Sequence, residues 1–475
     1  MRRAVGPTGA ALRTGLDEAS HHATGEAVSA PTGRDPLERL LAPLERGQLE
    51  DRPGTGAPVW LRSGDWRLFV RVHEDGPAHG EEIQRFALEG GGAVSATWSA
   101  ERGVFLPFSL GEAYENYLSE SWRAGTRRKE LTPGQLSLFY RIKPLIPRPL
   151  QLAARRLLIR WQGLPEFPAW PLDESVARLM RFYARCLLLA SGSAELPFRW
   201  FWPRPHLSAL VLTHDVETAE GLKLAPEIAD LEEERGLRSS FNIVASSYPI
   251  DRGIVRELRD RGFELGVHGL YHDRSMFSGR EAFEAQQPAL REAVAMFRAQ
   301  GFRSPATHRV FEWLGELPVS YDCSVPHSDP YEPQPGGCCS VWPFLIGDVV
   351  ELPYTLPHDH TLFTLLRHGS IGVWLRQLER IEQLHGLAQV LTHPDPGYLG
   401  DSRNRALYVE LLDAIRERST VWRALPHEVA GWWRQRDAGA GAPWPTATGM
   451  FARAESDTSV ELQPPNETVG SNAAR

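Results

Sequence analysis

The chain has 475 residues, 42% of them hydrophobic and 24% charged, with a formal net charge of −8. That length exceeds one ordinary core and implies two or more domains, and the acidic balance excludes a general nucleic-acid-binding role. No apolar run reaches about 18 residues, which excludes a transmembrane helix on hydropathy, and the four cysteines show no CxxC spacing, so we expect buried reduced thiols.

Residues 1–36 are rich in Gly, Ala, Thr and Ser without an apolar period and read as a disordered tail. The basic start lacks a continuous apolar h-region, so a secretory signal is not expected and a cytoplasmic location is. Residues 50–125 read as a small β-rich domain. Trp66, Leu68, Val70 and Val72 alternate as in a half-buried strand, and Tyr114, Tyr117, Leu118 and Trp122 fall at helical spacing. No set of residues there suggests chemistry. Residues 126–204 read as a helical connector. Within it "RPLQLAARRLLIRWQ" is a basic amphipathic helix, suited either to an anionic membrane surface or to packing with its arginines solvated. "DESVARLMRFYARCLLLA" is a helix capped by Asp173.

From Leu207 apolar strands alternate with amphipathic helices, the texture of a parallel α/β architecture. Seven or eight strands over about 230 residues suit a barrel better than an open sheet. The polar residues sit at strand ends: Asp215 and Glu217 at the first, His268 and His272 at the third, Arg303, His308 and Arg309 at the fourth. His327 and Asp329 follow the fifth, and His393 and Asp395 end the seventh. In an α/β barrel all strand C-termini open onto one face, so these residues would converge. From residue 437 the chain again reads as disordered, and the glycosylation sequon at Asn466 is taken as chance.

In "GVHGLYHD" the two histidines stand four apart. His268, His272 and one carboxylate would leave positions open for water and substrate, as a catalytic divalent metal requires. The bland alternative is a set of polar residues capping loops at a binding face.

Taken in order, "LTHDVE", "HGLYH", "RSP" and "LTHPD" resemble the motifs of the polysaccharide deacetylase family (NodB homology, carbohydrate esterase family 4) over roughly residues 205–436. The resemblance implies an α/β fold, a deformed (β/α)7-type barrel, here preceded by the small β-rich domain and helical connector. It implies a metal-dependent hydrolase that removes N-acetyl groups from a carbohydrate or cleaves a related non-peptide C–N bond. O-acetyl ester cleavage is the neighbouring alternative. The cofactor it implies is one divalent ion, zinc first, with cobalt, nickel or iron as other occupants, and the partner is an acetylated carbohydrate.

Residue by residue, His268 and His272 match the HxxxH metal ligands. Arg303 matches the arginine that steadies a catalytic aspartate, and His393 matches the late histidine that acts as general acid. The family commonly has two adjacent aspartates, one base and one ligand. This chain has Asp215-Val216-Glu217, which resembles an Asp-x-Asp branch with Glu in second place. That gives Asp215 as base and Glu217 as ligand, with ligation by Asp215 itself, near His214, as the alternative. Asp359 in "LPHDHTL" is a candidate partner for His393. A rival from another class is a barrel that has lost activity and binds carbohydrate or a protein partner. The glutamate at 217 keeps that rival open. Nothing in the sequence fixes the oligomeric state.

Overall fold

The structure, a computed structural model, describes residues 49–50, 52–73, 80–126, 147–438, 448–453 and 460–465. The chain divides into two compact units. The first, Met1–Gly33, lies outside the described residues, as does the expected N-terminal tail, and all that follows belongs to the second.

Six strands form the first sheet: β1 (Leu49–Glu50), β2 (Thr55–Ser63), β3 (Trp66–Val72), β4 (Glu81–Leu88), β5 (Ala93–Ser99) and β6 (Gly103–Phe105). The alternation at Trp66, Leu68 and Val70 turns these side chains into the core, where Trp66 meets Phe86 and Phe182 edge-on at 5.6 Å. The helix Leu110–Leu118 starts at Ser109, whose Oγ accepts the Glu112 N–H, so one orphan amide of its first turn is satisfied. The helix Ser175–Ser191 supplies Phe182, and Asp173 accepts the Ser175 N–H at 2.8 Å at its start.

After β7 (Glu195–Arg199) comes the larger sheet: β8 (Ser208–Val216), β9 (Ser240–Ile243), β10 (Glu264–Val267), β11 (Gly301–Phe302), β12 (Tyr321–Asp322), β13 (Phe344–Ile346), β14 (Val349–Glu351), β15 (Leu387–Thr392) and β16 (Val421–Arg423). Its order is β13-β14-β12-β11-β10-β9-β8-β15, with β16 beside β8, and every pairing except β13 with β14 is parallel. Past β14 the chain reaches the far edge strand. The Leu356 N–H donates to Gln389 O at 3.2 Å and the Gln389 N–H to Thr355 Oγ1 at 2.8 Å. The parallel sheet therefore curls round on itself. Every residue of β8 and β15 is buried, as expected of parallel strands covered on both faces by helices or core.

Two expectations need correction. The fourth strand, at which Arg303, His308 and Arg309 were placed, is only Gly301–Phe302 and ends before all three, because Pro305 offers no N–H to a ladder and Ala306 turns to φ 49°. The C-terminal stretch read as a disordered tail carries β17 (Thr448–Arg453) and β18 (Val460–Gln463), which extend β7 into a three-stranded antiparallel sheet. Phe451 anchors it, fully buried with its ring 4.7 Å from that of Phe198. One large apolar residue in a low-complexity context was too small a signal for periodicity to register.

The segment that follows the first sheet is tied to the larger one by buried polar contacts. Arg309 Nε and Nη2 donate to the two oxygens of Glu120 at 2.8 and 2.5 Å, and the Asp173 N–H donates to His327 Nε2 at 2.8 Å. Glu120→Ala leaves the Arg309 charge buried without its carboxylate. We expect this to lower the unfolding free energy by about 3–5 kcal/mol, read from the denaturant midpoint.

Candidate active site

Along β8 successive side chains point to opposite faces. His214 turns towards the surrounding helices, where Nε2 meets Glu232 Oε1 at 2.7 Å and Nδ1 meets Thr392 Oγ1 at 2.8 Å. It is a buried packing histidine and takes no part in a ligand set. Asp215 turns the other way. Its Oδ1 accepts from Asn242 Nδ2 at 2.9 Å and lies 3.7 Å from Arg303 Nε, while Oδ2 lies 3.8 Å from His268 Nε2. Burial alone would raise this carboxyl, but His268, Arg303, His393 and the Asn242 amide bring it below the usual aspartate range.

Asn242 was not foreseen. It pairs directly with Asp215 across β8 and β9 and is buried, so the signal was a lone amide inside an apolar strand. Its side chain fits because Gly266 stands on the adjacent strand: a Cβ there would come within 2.0 Å of Asn242 Oδ1.

Arg303 is fully buried just past β11. Its Nη2 donates to Thr213 Oγ1 at 3.2 Å, and its Cζ lies 5.7 Å from the centre of the Tyr354 ring. The Arg303 carbonyl also matters, since it accepts from His268 Nδ1 at 3.0 Å. With the proton held on Nδ1, the His268 Nε2 carries its lone pair inward, and this buried nitrogen has no hydrogen-bond partner. Burial, reinforced by His272 and His393, pushes the His268 ring down to about 4, so it is neutral at pH 7. Gly269, at φ +69°, makes the turn that brings the chain back from His268 to His272.

Glu217 reaches the same place from the end of β8. Its Oε1 is 3.1 Å from His272 Nε2 and 3.6 Å from His393 Nε2. The ligand atoms of Glu217, His268 and His272 all lie within 4.8 Å of one another. A neutral imidazole with an orphaned lone pair, a second imidazole and a carboxylate form a donor set that fits a divalent ion of the zinc type. Asp395 fixes the Glu217 backbone, accepting its N–H at 3.1 Å and bonding Thr218 Oγ1 through its other oxygen.

His393 closes the far side. The Asp359 carboxylate receives the His393 Nδ1 proton at 2.7 Å and the His393 backbone N–H at 3.0 Å. Burial works against the charged ring, but Asp359, with Glu217 and Asp215 further off, holds it up at about 9. Tyr398 walls the ring, with centroids 4.7 Å apart. The set opens to solvent at His272, whose side chain is 33% exposed.

Several polar residues expected at the same face are used elsewhere. Arg309 and His327 are committed to Glu120 and Asp173. Asp329 joins Glu332 in holding His358, at 3.5 and 2.9 Å, and the His358 ring lies 5.9 Å from that of His393.

No protein-family profile and no curated protein sequence matches the chain. Solved structures do. A Mycobacterium smegmatis protein assigned as a polysaccharide deacetylase matches with a TM-score of 0.40 at 18% identity, over 51% of this chain and 95% of that one. The PuuE allantoinase matches with 0.38 at 15%, over 52% and 95%. A Pseudomonas aeruginosa PAO1 protein, also assigned as a polysaccharide deacetylase, matches with 0.37 at 14%, over 50% and 94%.

Proposed function

We propose that this chain is a metal-dependent hydrolase that removes N-acetyl groups from a carbohydrate, using a deformed (β/α)7-type barrel at residues 205–436. The observation that carries the reading is a sequence of parts across one opening. Asp215 stands on one side, the donor set of Glu217, His268 and His272 in the middle, and the His393–Asp359 pair on the other. The four motifs that resemble the deacetylase family supply all of these residues except Asp359.

Glu217, His268 and His272 would hold a divalent ion, which would supply Lewis acidity to a carbonyl oxygen and lower the pKa of nearby water. Asp215 is the base. Arg303 and Asn242 keep its carboxylate charged, and it takes the proton of the water that attacks the acetyl carbon. The C–N bond breaks as His393 Nε2 delivers a proton to the nitrogen, so acetate and the free amine leave. Asp359 orients the ring for that transfer and favours its protonated form. A group held protonated at neutral pH suits an amine leaving group, which cannot depart as an anion, and this favours the amide over the acetyl ester. Tyr271, 51% exposed between the two histidines, offers an aromatic face of the kind on which a sugar ring packs.

The test is acetate release by the purified chain, with zinc, cobalt or nickel added, from N-acetylated oligosaccharides and from O-acetylated xylan. Acetate accompanied by new amine groups is expected from the first. Release from neither substrate class with any metal would remove the hydrolase reading in favour of a binding barrel.

A further inference from the structure

The helix Arg148–Gln162 has its amphipathic pattern facing outwards. Leu150 is 60% exposed, Leu157 69% and Trp161 56%, and Leu164, just past the helix end, is 55%. Positions 150, 157 and 161 are two and three turns apart, so they form one row along the outer face, with the exposed Ala153 and Ala154 between them. The inner, half-buried face carries much of the polarity. There Arg155 Nη2 donates to Tyr331 O at 2.5 Å and Arg156 Nη2 to Thr364 O at 2.6 Å. A helix that served only its own core would be arranged the other way round. Among the described residues six large hydrophobic side chains are exposed, and four of them belong to this segment. Single exposed leucines are ordinary, but a row of them marks a surface that something covers.

Charge points to the occupant. Between Glu130 and Glu166 there is no acidic residue, while Arg141, Lys143, Arg148, Arg155, Arg156 and Arg160 are all basic, in a chain whose net charge is −8. Arg160 is exposed at the edge of the row. The helix itself carries no carboxylate. An apolar row with the Arg160 guanidinium exposed at its edge complements the surface of an anionic lipid bilayer, where acyl chains take the leucines and headgroups take the arginine.

We propose that this helix rests in the plane of an anionic phospholipid bilayer, with Leu150 and Leu157 among the acyl chains and Arg160 at headgroup level. The helix lies against the turn His360–Leu365, through Arg156 and Thr364, and that turn follows directly on Asp359, the partner of His393. The docked surface and the candidate active site thus share one short structural link. The inference stands independently of the hydrolase reading.

The experiment is cosedimentation of the full-length protein with vesicles of phosphatidylcholine alone and of phosphatidylcholine with phosphatidylglycerol. Binding is expected only with phosphatidylglycerol, and to weaken as salt is raised. Leu157→Glu should reduce it at least about tenfold, and Arg160→Gln about fivefold, the worth of one charge near such a surface. Both side chains are exposed, so both variants should keep the wild-type melting temperature, and either alone decides the matter if the other does not fold. No binding to phosphatidylglycerol vesicles at low salt would overturn the proposal, as would binding unchanged in both variants. So would a concentration-dependent dimer, lost in Leu157→Glu, in a protein that ignores vesicles, because the row would then be an interface between copies.

Discussion

Asp215→Asn should lower turnover by roughly 10²–10⁴-fold, the usual worth of a general base, while bound metal stays nearly unchanged. The substitution keeps the shape. The Asn side-chain oxygen can still accept from Asn242 Nδ2, now 2.9 Å from Asp215 Oδ1. What is lost is the proton acceptor that faces His268. A stability cost belongs to the same expectation. Arg303 is fully buried, its Nε lies 3.7 Å from Asp215 Oδ1, and the variant leaves that guanidinium beside a neutral amide. Turnover is therefore compared below the variant's own melting transition, with metal content measured on the same sample. Loss of metal from Asp215→Asn, with metal kept in Glu217→Gln, would show that the two acidic residues have exchanged roles.

His268→Ala should abolish stoichiometric metal and, with it, turnover. The His268 nitrogen is the most committed of the three donors. Its ring is buried, its Nδ1 is fixed on the Arg303 carbonyl, and its Nε2 has no other partner. Removing the ring leaves Glu217 and His272, both partly exposed, which form too small a set to hold a catalytic ion tightly. His272→Ala is expected to act in the same direction, with excess metal restoring part of the rate, because Glu217 and His268 remain. Full metal content in His268→Ala by elemental analysis would exclude this histidine as a ligand.

Much of the site was legible because parallel α/β topology converts strand order into spatial convergence. Asp215, His268, Arg303 and His393 come from strands spread over nearly 180 positions, and each sits at a C-terminal strand end. The His393–Asp359 pair could be suggested from sequence but not distinguished from the other polar residues of the same loop. Asn242 escaped because one amide in a four-residue strand has no pattern, and its meaning comes only from register with Asp215. Arg309 and His327 were read as part of the face because their spacing in sequence could not show Glu120 and Asp173, which lie 189 and 154 residues before them. The curled sheet was suggested by the alternation of strands and helices. The C-terminal strands β17 and β18 were not, since β17 pairs with β7 across some 250 residues, β18 is added only through β17, and both rest on a few buried side chains.

Under the proposed function, one divalent ion held by Glu217, His268 and His272 is required for hydrolysis of an acetylated sugar. The most direct test measures metal content and acetate release on one preparation, first as purified, then after dialysis against a chelator, then after zinc is returned. We expect about one ion per chain, loss of acetate release with the ion, and recovery of both together in the wild type but not in His268→Ala. Undiminished acetate release by the metal-free protein, or a zinc-replenished wild type that retains no stoichiometric ion, would contradict it.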